Sequence, residues 1–282
     1  MRKWPRRAAR LLVVLAMLLA MIVFMFMEAR RMPVARSASI VLAGYPAEAP
    51  PLRIALITDT HMGGPDQSPA RLDRIVDVVN AERPDLVLLG GDYIGEAKIV
   101  GRSYSREQAM AGFARLRAPL GVVAVLGNHE HWSDPAAAAA ALRNLGIIVL
   151  VNQAVRRGPL VIGGVDDDFT HHSNVAATRE GMAALGGAPL FLSHSPDILP
   201  ALPEGALLLA GHTHCGQIAL PWIGALWVPS RFGDRYRCGL HAEAGKILIV
   251  SAGIGTSTVP LRLFAPPDFW LVTVSAAPAG RE

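Results

Sequence analysis

Five short motifs, each following an apolar run or a glycine, most constrain the fold of this chain. They are Asp59-Thr60-His61, Gly91-Asp92, Gly127-Asn128-His129-Glu130, Ser193-His194 and Gly211-His212-Thr213-His214. A polar group at the end of an apolar run stands where a strand ends. Open α/β sheets place their chemistry in the crevice beyond such ends. Seven residues of the series, Asp59, His61, Asp92, Asn128, His194, His212 and His214, fit one another as ligands of a two-metal site.

The runs between the motifs alternate in character. Leu52 to Ile57 reads as a buried strand, and Ala70 to Ala81 carries Leu72, Ile75, Val76 and Val79 at helical spacing, closed by Pro84. Leu86 to Leu89 is the next strand. Ser105-Arg106-Glu107-Gln108 is a capping-box start for a helix reaching about Arg117. Val122 to Leu126 is a strand, and Asp134-Pro135 opens an alanine-rich helix ending near Gly146. Strands follow at Ile147 to Val151 and Leu160 to Ile162, with a helix between Val175 and Leu185. Strands at Leu190 to Leu192, Ala206 to Ala210, Lys246 to Val250 and Phe269 to Val274 complete the pattern. This predicts one α/β domain with helices covering its sheets.

Ahead of the domain, Leu11 to Met27 is an unbroken apolar run of 17 residues. It is near the lower limit for crossing a bilayer, about 17–25 residues. Arg2, Lys3, Arg6, Arg7 and Arg10 precede it, and Arg30, Arg31 and Arg36 follow. The heavier N-terminal flank keeps the N-terminus in the cytoplasm and sends the domain out. A cleaved signal peptide competes with this reading, but Met27-Glu28-Ala29-Arg30 offers no small-residue cleavage site, and the residues after Arg6-Arg7 match twin-arginine export poorly. The chain therefore divides into a basic N-terminus and anchor (1–27), a tether (28–51) rich in Pro and Gly, the domain (52–275) and a short tail (276–282).

The formal net charge of +4 belongs to the anchor. Residues 1–36 hold eight Lys/Arg and one Glu, leaving 19 basic against 22 acidic residues beyond. The cations suit anionic lipid headgroups. The domain has no overall positive field for a nucleic-acid backbone, so no nucleic-acid partner is expected. Cys215 and Cys238 could pair outside the cytoplasm, although two thiols in a large domain are more often independent; Cys215, next to the His-Thr-His motif, is read as an outer neighbour of the site and not as a ligand.

Asp, Asn and His are oxygen and nitrogen donors that suit Mn²⁺, Fe or Zn²⁺. Two divalent ions need a bridging carboxylate, and Asp92 is the natural one. Ions about 3.5–4 Å apart can activate a shared hydroxide and stabilise phosphoryl charge. A zinc-protease reading fails because His129-Glu130-His131 lacks the two-residue gap that puts both His on one helix face.

With this series the chain resembles the calcineurin-like metallophosphoesterase superfamily over roughly residues 52–275. Within it the chain is most similar to the membrane-anchored bacterial YkuE/YaeI-like phosphodiesterase branch. Gly211 to Gln217, Tyr236-Arg237-Cys238-Gly239 and Ser251-Ala252-Gly253-Ile254-Gly255 carry that likeness, with the leading anchor. The resemblance implies a four-layer αββα sandwich behind an N-terminal transmembrane helix. Asp59, His61 and His214 would hold one metal, Asn128, His194 and His212 the other, and Asp92 would bridge. His129 would be the catalytic, non-ligating residue. Manganese is the first choice of metal, with iron or zinc as alternatives. The implied activity is hydrolysis of a phosphodiester or pyrophosphate linkage by metal-activated hydroxide, on a membrane-associated, lipid-linked substrate, at a bacterial inner membrane with the domain outside the cytoplasm. Hydrolysis of UDP-2,3-diacylglucosamine in lipid A synthesis is an enzymatic alternative that needs a cytoplasmic site. A non-catalytic metal-binding envelope protein is the other.

In part of the superfamily an Asp three residues after the bridge orients the catalytic His; here that position is Gly95, with Glu96 beside it. Glu130 is expected to support its loop. Asp166 and Asp167 are placed at the rim of the site and His171 and His172 at its entrance, with His131 and His241 in loops or at the surface. The segment Ile218 to Pro229, with Trp222, Ile223, Leu226 and Trp227, is expected as a buried hairpin beside the site, against an apolar lip that meets lipid.

Overall fold

A computed structural model of the protein describes residues 6–95 and 101–277. In chain order the first elements are helix α1 (Arg6–Arg30), strands β1 (Val34–Val41) and β2 (Leu52–Ile57), helix α2 (Pro69–Ala81), strand β3 (Leu86–Leu89), helix α3 (Arg106–Met110) and strand β4 (Val122–Ala124). Helices α4 (Asn128–Ser133) and α5 (Pro135–Asn144) follow, then strands β5 (Ile148–Val149), β6 (Gln153–Arg157) and β7 (Leu160–Val165), helix α6 (Val175–Leu185), and strands β8 (Ala188–Ser193) and β9 (Leu207–Ala210). The last are β10 (Ala219–Leu220), β11 (Gly224–Ala225), β12 (Gly239–Glu243), β13 (Lys246–Val250) and β14 (Asp268–Ser275).

Two six-stranded mixed sheets result, ordered β1-β14-β2-β3-β4-β5 and β12-β13-β9-β8-β7-β6. The site-bearing strands β2, β3 and β4 run parallel in the first, and β8 and β9 run parallel in the second. Alternate residues of each strand face opposite sides of a sheet. Ile54, Leu56, Leu88 and Val123 thus meet Ile162, Leu190, Leu209 and Ile249 in a core between the sheets. The opposite face of the first sheet, with Ala55, Ile57, Val87 and Leu89, packs on Leu72, Ile75 and Val79 of α2 and Leu142 of α5. Val161, Phe191 and Leu208 of the second pack on Met182 of α6. The layers run helices, sheet, sheet, helices, the αββα sandwich expected.

Two local signals act as read: Ser105 and Gln108 form the capping box of α3, and Asp134 caps α5 ahead of Pro135. The structure adds a third, Ser68, which caps α2 through its side chain. The α3 helix is shorter than expected; Ala111–Arg115 continues it as a 3-10 helix.

The irregular tether is corrected. Within 28–51, α1 continues to Arg30 and residues 34–41 form β1, parallel to β14 from Val34↔Asp268 to Val41↔Ser275. The strand lacks a clean apolar alternation because it covers a sheet edge with one face in solvent. Arg36 Nε donates to the buried Asp268 carboxylate at 2.6 Å, which fastens that edge. Helix α1 is long and apolar enough to cross a membrane. Its C-terminal end rests on the domain: Met25 and Ala29 are buried, and the Arg262 amide donates to the Met25 carbonyl at 3.0 Å.

Candidate metal centre

The ends of β2, β3, β4, β8 and β9 deliver all seven predicted ligands to one buried point. Asp59, His61, Asp92, His212 and His214 lie in the left-handed backbone region, at φ between 41 and 70°. Such conformations cost non-glycine residues about 1 kcal/mol or more each and gather at functional sites. The motif glycines make room. A Cβ on Gly127 would sit 2.3 Å from Asp92 Oδ1, and one on Gly211 2.3 Å from Asp59 Oδ2.

The donors form two clusters around a shared carboxylate oxygen. In the first, His61 Nε2 and His214 Nε2 are 3.0 Å apart, and His214 Nε2 is 3.5 Å from Asp59 Oδ1. In the second, His194 Nε2 is 3.1 Å from Asn128 Oδ1 and 3.0 Å from His212 Nδ1. Asp92 Oδ2 stands 3.4 Å from His61 Nε2 and 3.2 Å from His194 Nε2. Ligands about 2.1 Å from a first-row ion, at angles near 90–109°, stand about 3.0–3.4 Å from one another.

Tautomers sharpen the fit to cations. His194 Nδ1 lies 2.8 Å from the Gly90 carbonyl, which can only accept, so Nδ1 carries a proton and Nε2 faces the cluster. Around Nε2 are Asn128 Oδ1, Asp92 Oδ2 and His212 Nδ1, a crowd of acceptors that calls for a positive charge. Without metal that charge is a proton: burial alone would lower the His194 pKa, but Asp92 outweighs it and holds it well above the usual histidine range. His212 is pushed down to about 3, by burial and then by His194. Burial lifts Asp59 to about 6. The donor set fits divalent cations, which would replace protons here.

His129 points into a cavity of about 270 Å³ over the clusters. Its Nε2 is 3.9 Å from Asp92 Oδ2, and its amide donates to Asp92 Oδ1 at 3.0 Å. The ring packs edge-on against His61 at 4.5 Å and beside Trp132 at 4.9 Å. Its Nδ1 has no hydrogen-bond partner among the described residues. Gly95 lines the cavity, and Glu96 lies outside the described residues. Packing between His61 and Trp132 is what holds the ring.

Glu130 supports the loop as expected. Fully buried, it accepts at 2.9 Å from the Asp92 and Gly127 amides through Oε2 and from the Tyr93 amide through Oε1. Burial lifts its carboxyl to about 7, and Asp92 adds to the rise. Glu130→Ala leaves three buried N–H groups without an acceptor, at about 1–3 kcal/mol each. Denaturant unfolding with metal in excess should show a loss of at least about 3 kcal/mol; a loss under about 1 kcal/mol would mean that water takes over all three.

Several supporting residues differ from the sequence reading. Asp167 is buried, not at the rim, and accepts from the Thr170 amide and hydroxyl. Asp166 is buried against His131 at 2.9 Å. These bonds brace the loop that carries Phe169, which packs on His212 at 4.7 Å. His171 and His172 do not line the cavity; His172 stacks on His131, whose side chain is buried. Cys215 and Cys238 are joined in a disulfide, tying the His212–His214 loop to the segment before β12. The Trp-rich segment is an exposed hairpin rather than a buried one.

Arg262 carried no sequence signal. It is fully buried behind His214 and donates to the carbonyls of Ala252 and Gly255 at 2.6 Å and Ala265 at 2.8 Å. The loop it pins bonds back to the first motif, from the Ile254 amide to Thr58 and the Gly255 amide to Asp59.

Two facing mixed sheets with a His/Asp/Asn cluster at their strand ends define a metal-dependent phosphoester hydrolase. The chain belongs to the calcineurin-like phosphoesterase family, whose sequence profile matches residues 52–216. An uncharacterised metallophosphoesterase of Aquifex aeolicus is 31% identical over 230 residues, covering 79% of this chain and 85% of that protein. The uncharacterised metallophosphoesterase YkuE of Bacillus subtilis is 27% identical, covering 73% of each chain. A transmembrane protein with metallophosphoesterase domain from Bos taurus is 28% identical over 89% of this chain. This chain spans 59% of that relative and 58% of the matching Helicobacter pylori proteins.

Proposed function

We propose that the chain is a binuclear phosphodiesterase or pyrophosphohydrolase of the membrane surface, with its domain outside the cytoplasm. The observation that carries this reading is the position of Asp92 Oδ2, 3.4 Å from one histidine cluster and 3.2 Å from the other. One carboxylate can thereby serve two ions. Asp59, His61 and His214 would hold the first, and Asn128, His194 and His212 the second. Bound there, the ions would acidify a water and polarise the phosphoryl oxygens. The chain's own part is orientation and proton supply. Gly90 fixes the His194 tautomer, Glu130 fixes the loops that carry Asp92 and Asn128, and His129 faces the cavity to hydrogen-bond the phosphoryl group or protonate the leaving oxygen.

The placement outside the cytoplasm draws on two features. Helix α1 is flanked more heavily by cations on its N-terminal side. The Cys215–Cys238 disulfide belongs in an oxidising compartment. That also disfavours the UDP-diacylglucosamine alternative, whose substrate is cytoplasmic.

The test is turnover by metal-stripped protein on bis-p-nitrophenyl phosphate, nucleotide, phospholipid and UDP-sugar substrates, with Mn²⁺, Fe²⁺ or Zn²⁺ returned. Hydrolysis of a diester or pyrophosphate, absent in chelator and restored at two ions per chain, is expected. Full activity at one ion, or turnover of monoesters alone, would overturn the reading. A phosphatase reporter after Glu282 that stays inactive in bacterial cells would overturn the placement.

A further inference from the structure

Among the described residues of the domain, the hairpin of β10 and β11 is the least protected apolar segment. Trp222 is 101% exposed, Ile223 73%, Leu226 63% and Trp227 68%. A contiguous apolar surface of this kind marks an interaction site. Its neighbour identifies the partner. The Leu263 amide donates to the Gln217 carbonyl and the Ala219 amide to the Leu263 carbonyl, both at 2.9 Å, so the hairpin base pairs with Leu263. The preceding residue, Arg262, donates its amide to Met25 in the last two turns of α1. Consecutive Cα atoms lie about 3.8 Å apart, so the membrane helix and the hairpin meet the domain at the same level. Phe264, 65% exposed, is next along that segment. Tryptophan favours the membrane–water interface, where its ring is apolar and its N–H is wet.

Behind the hairpin lies a second cavity of about 270 Å³, lined by Ile218, Leu226, Val259 and Gln217 among others. It shares His214, Trp227, Pro229, Ser257 and Thr258 with the cavity over the metal centre. The two cavities therefore adjoin along a shared wall, in line from the hairpin to the site, polar at the Asp/His cluster and apolar toward the hairpin.

We infer that residues 218–229 form a wedge seated in the bilayer interface beside the anchor, and that the cavity behind the hairpin takes the acyl or alkyl part of a lipid phosphoester whose phosphate reaches the metal centre. This rests on the membrane placement and phosphoesterase reading above, and names the substrate class as membrane-resident rather than soluble.

The full chain in liposomes containing dibrominated phosphatidylcholine tests the seating. Of its five tryptophans, Trp222 should contribute quenching that Trp222→Phe removes. Quenching unchanged by that substitution would overturn the wedge. Cross-linking between copies of a Trp222→Cys variant, with no lipid quenching of Trp222 in the unsubstituted chain, would assign the surface to a second chain and overturn it too. Turnover tests the lipid route. Trp222→Ser with Ile223→Ser should lower hydrolysis of a phospholipid diester in liposomes about tenfold or more. Turnover of bis-p-nitrophenyl phosphate should stay within about twofold, since neither residue lines the cavity over the site. Equal loss on both substrates, or none on the lipid, would overturn the lipid route. The quenching measurement needs no turnover, so failure of the phosphodiesterase reading would be seen separately from failure of the wedge.

Discussion

His129→Ala should lower kcat by about 10²–10⁴-fold, the range for losing a positioned acid–base group, while the protein still binds its full complement of metal. The variant keeps the backbone bond from residue 129 to Asp92 Oδ1, so the Asp92 carboxylate stays oriented. What disappears is the imidazole in the cavity and its packing on His61 and Trp132. Metal analysis beside single-turnover kinetics is the decisive pair. His61, Asp92 and His129 also lie close enough together to hold an ion. Metal lost in proportion to activity would therefore make His129 a ligand and remove it from proton transfer. A companion variant, Trp132→Ala, separates position from chemistry. It removes one wall of the ring's packing and should lower kcat by less than His129→Ala, with metal content unchanged.

The sequence carried the fold wherever apolar runs were long and the polar residues after them few. Ile54 to Ile57 and Leu86 to Leu89 are buried on both faces, so their composition alone marks them as strands. β1 escaped because Arg36, Ser37 and Ser39 break its pattern, and its partner β14 lies more than 230 residues away. The candidate ligands were legible because side-chain type decides coordination chemistry, and the fold gathers them at one point. Their left-handed backbones were not, since φ at Asp59 or His214 is imposed by the loops packed around it. Arg262 and the disulfide illustrate the same limit: each acts through neighbours that only the folded chain brings near. The hairpin was misread for a different reason. Apolar composition usually means burial, but these side chains have no sheet face to cover, and α1, long and apolar enough to cross a membrane, meets the domain close by.

Asp92→Asn should uncouple metal loading from folding. Asn, like Asp, tolerates the left-handed φ of 55° at this position, so the turn after β3 is kept. Its amide oxygen can still accept from the His129 amide as Asp92 Oδ1 does. The other oxygen becomes an NH₂ group directed at His61 Nε2 and His194 Nε2, where it can donate to nitrogen but cannot ligate a cation. The metal-free variant should therefore unfold near the wild-type midpoint. Its metal affinity should drop by more than about 100-fold, since supporting groups around metal sites already account for 10–100-fold, and turnover should fall with it. Calorimetric titration of stripped protein would show whether both binding events weaken. Weakening of one alone would mean that Asp92 serves a single ion. Two tightly bound ions with full turnover would end the bridging assignment. A large loss of stability in the metal-free form would instead mean that the carboxylate holds the histidine clusters together before any metal arrives. The raised His194 proton affinity gives that outcome a physical basis, because Asp92 is its principal counter-charge.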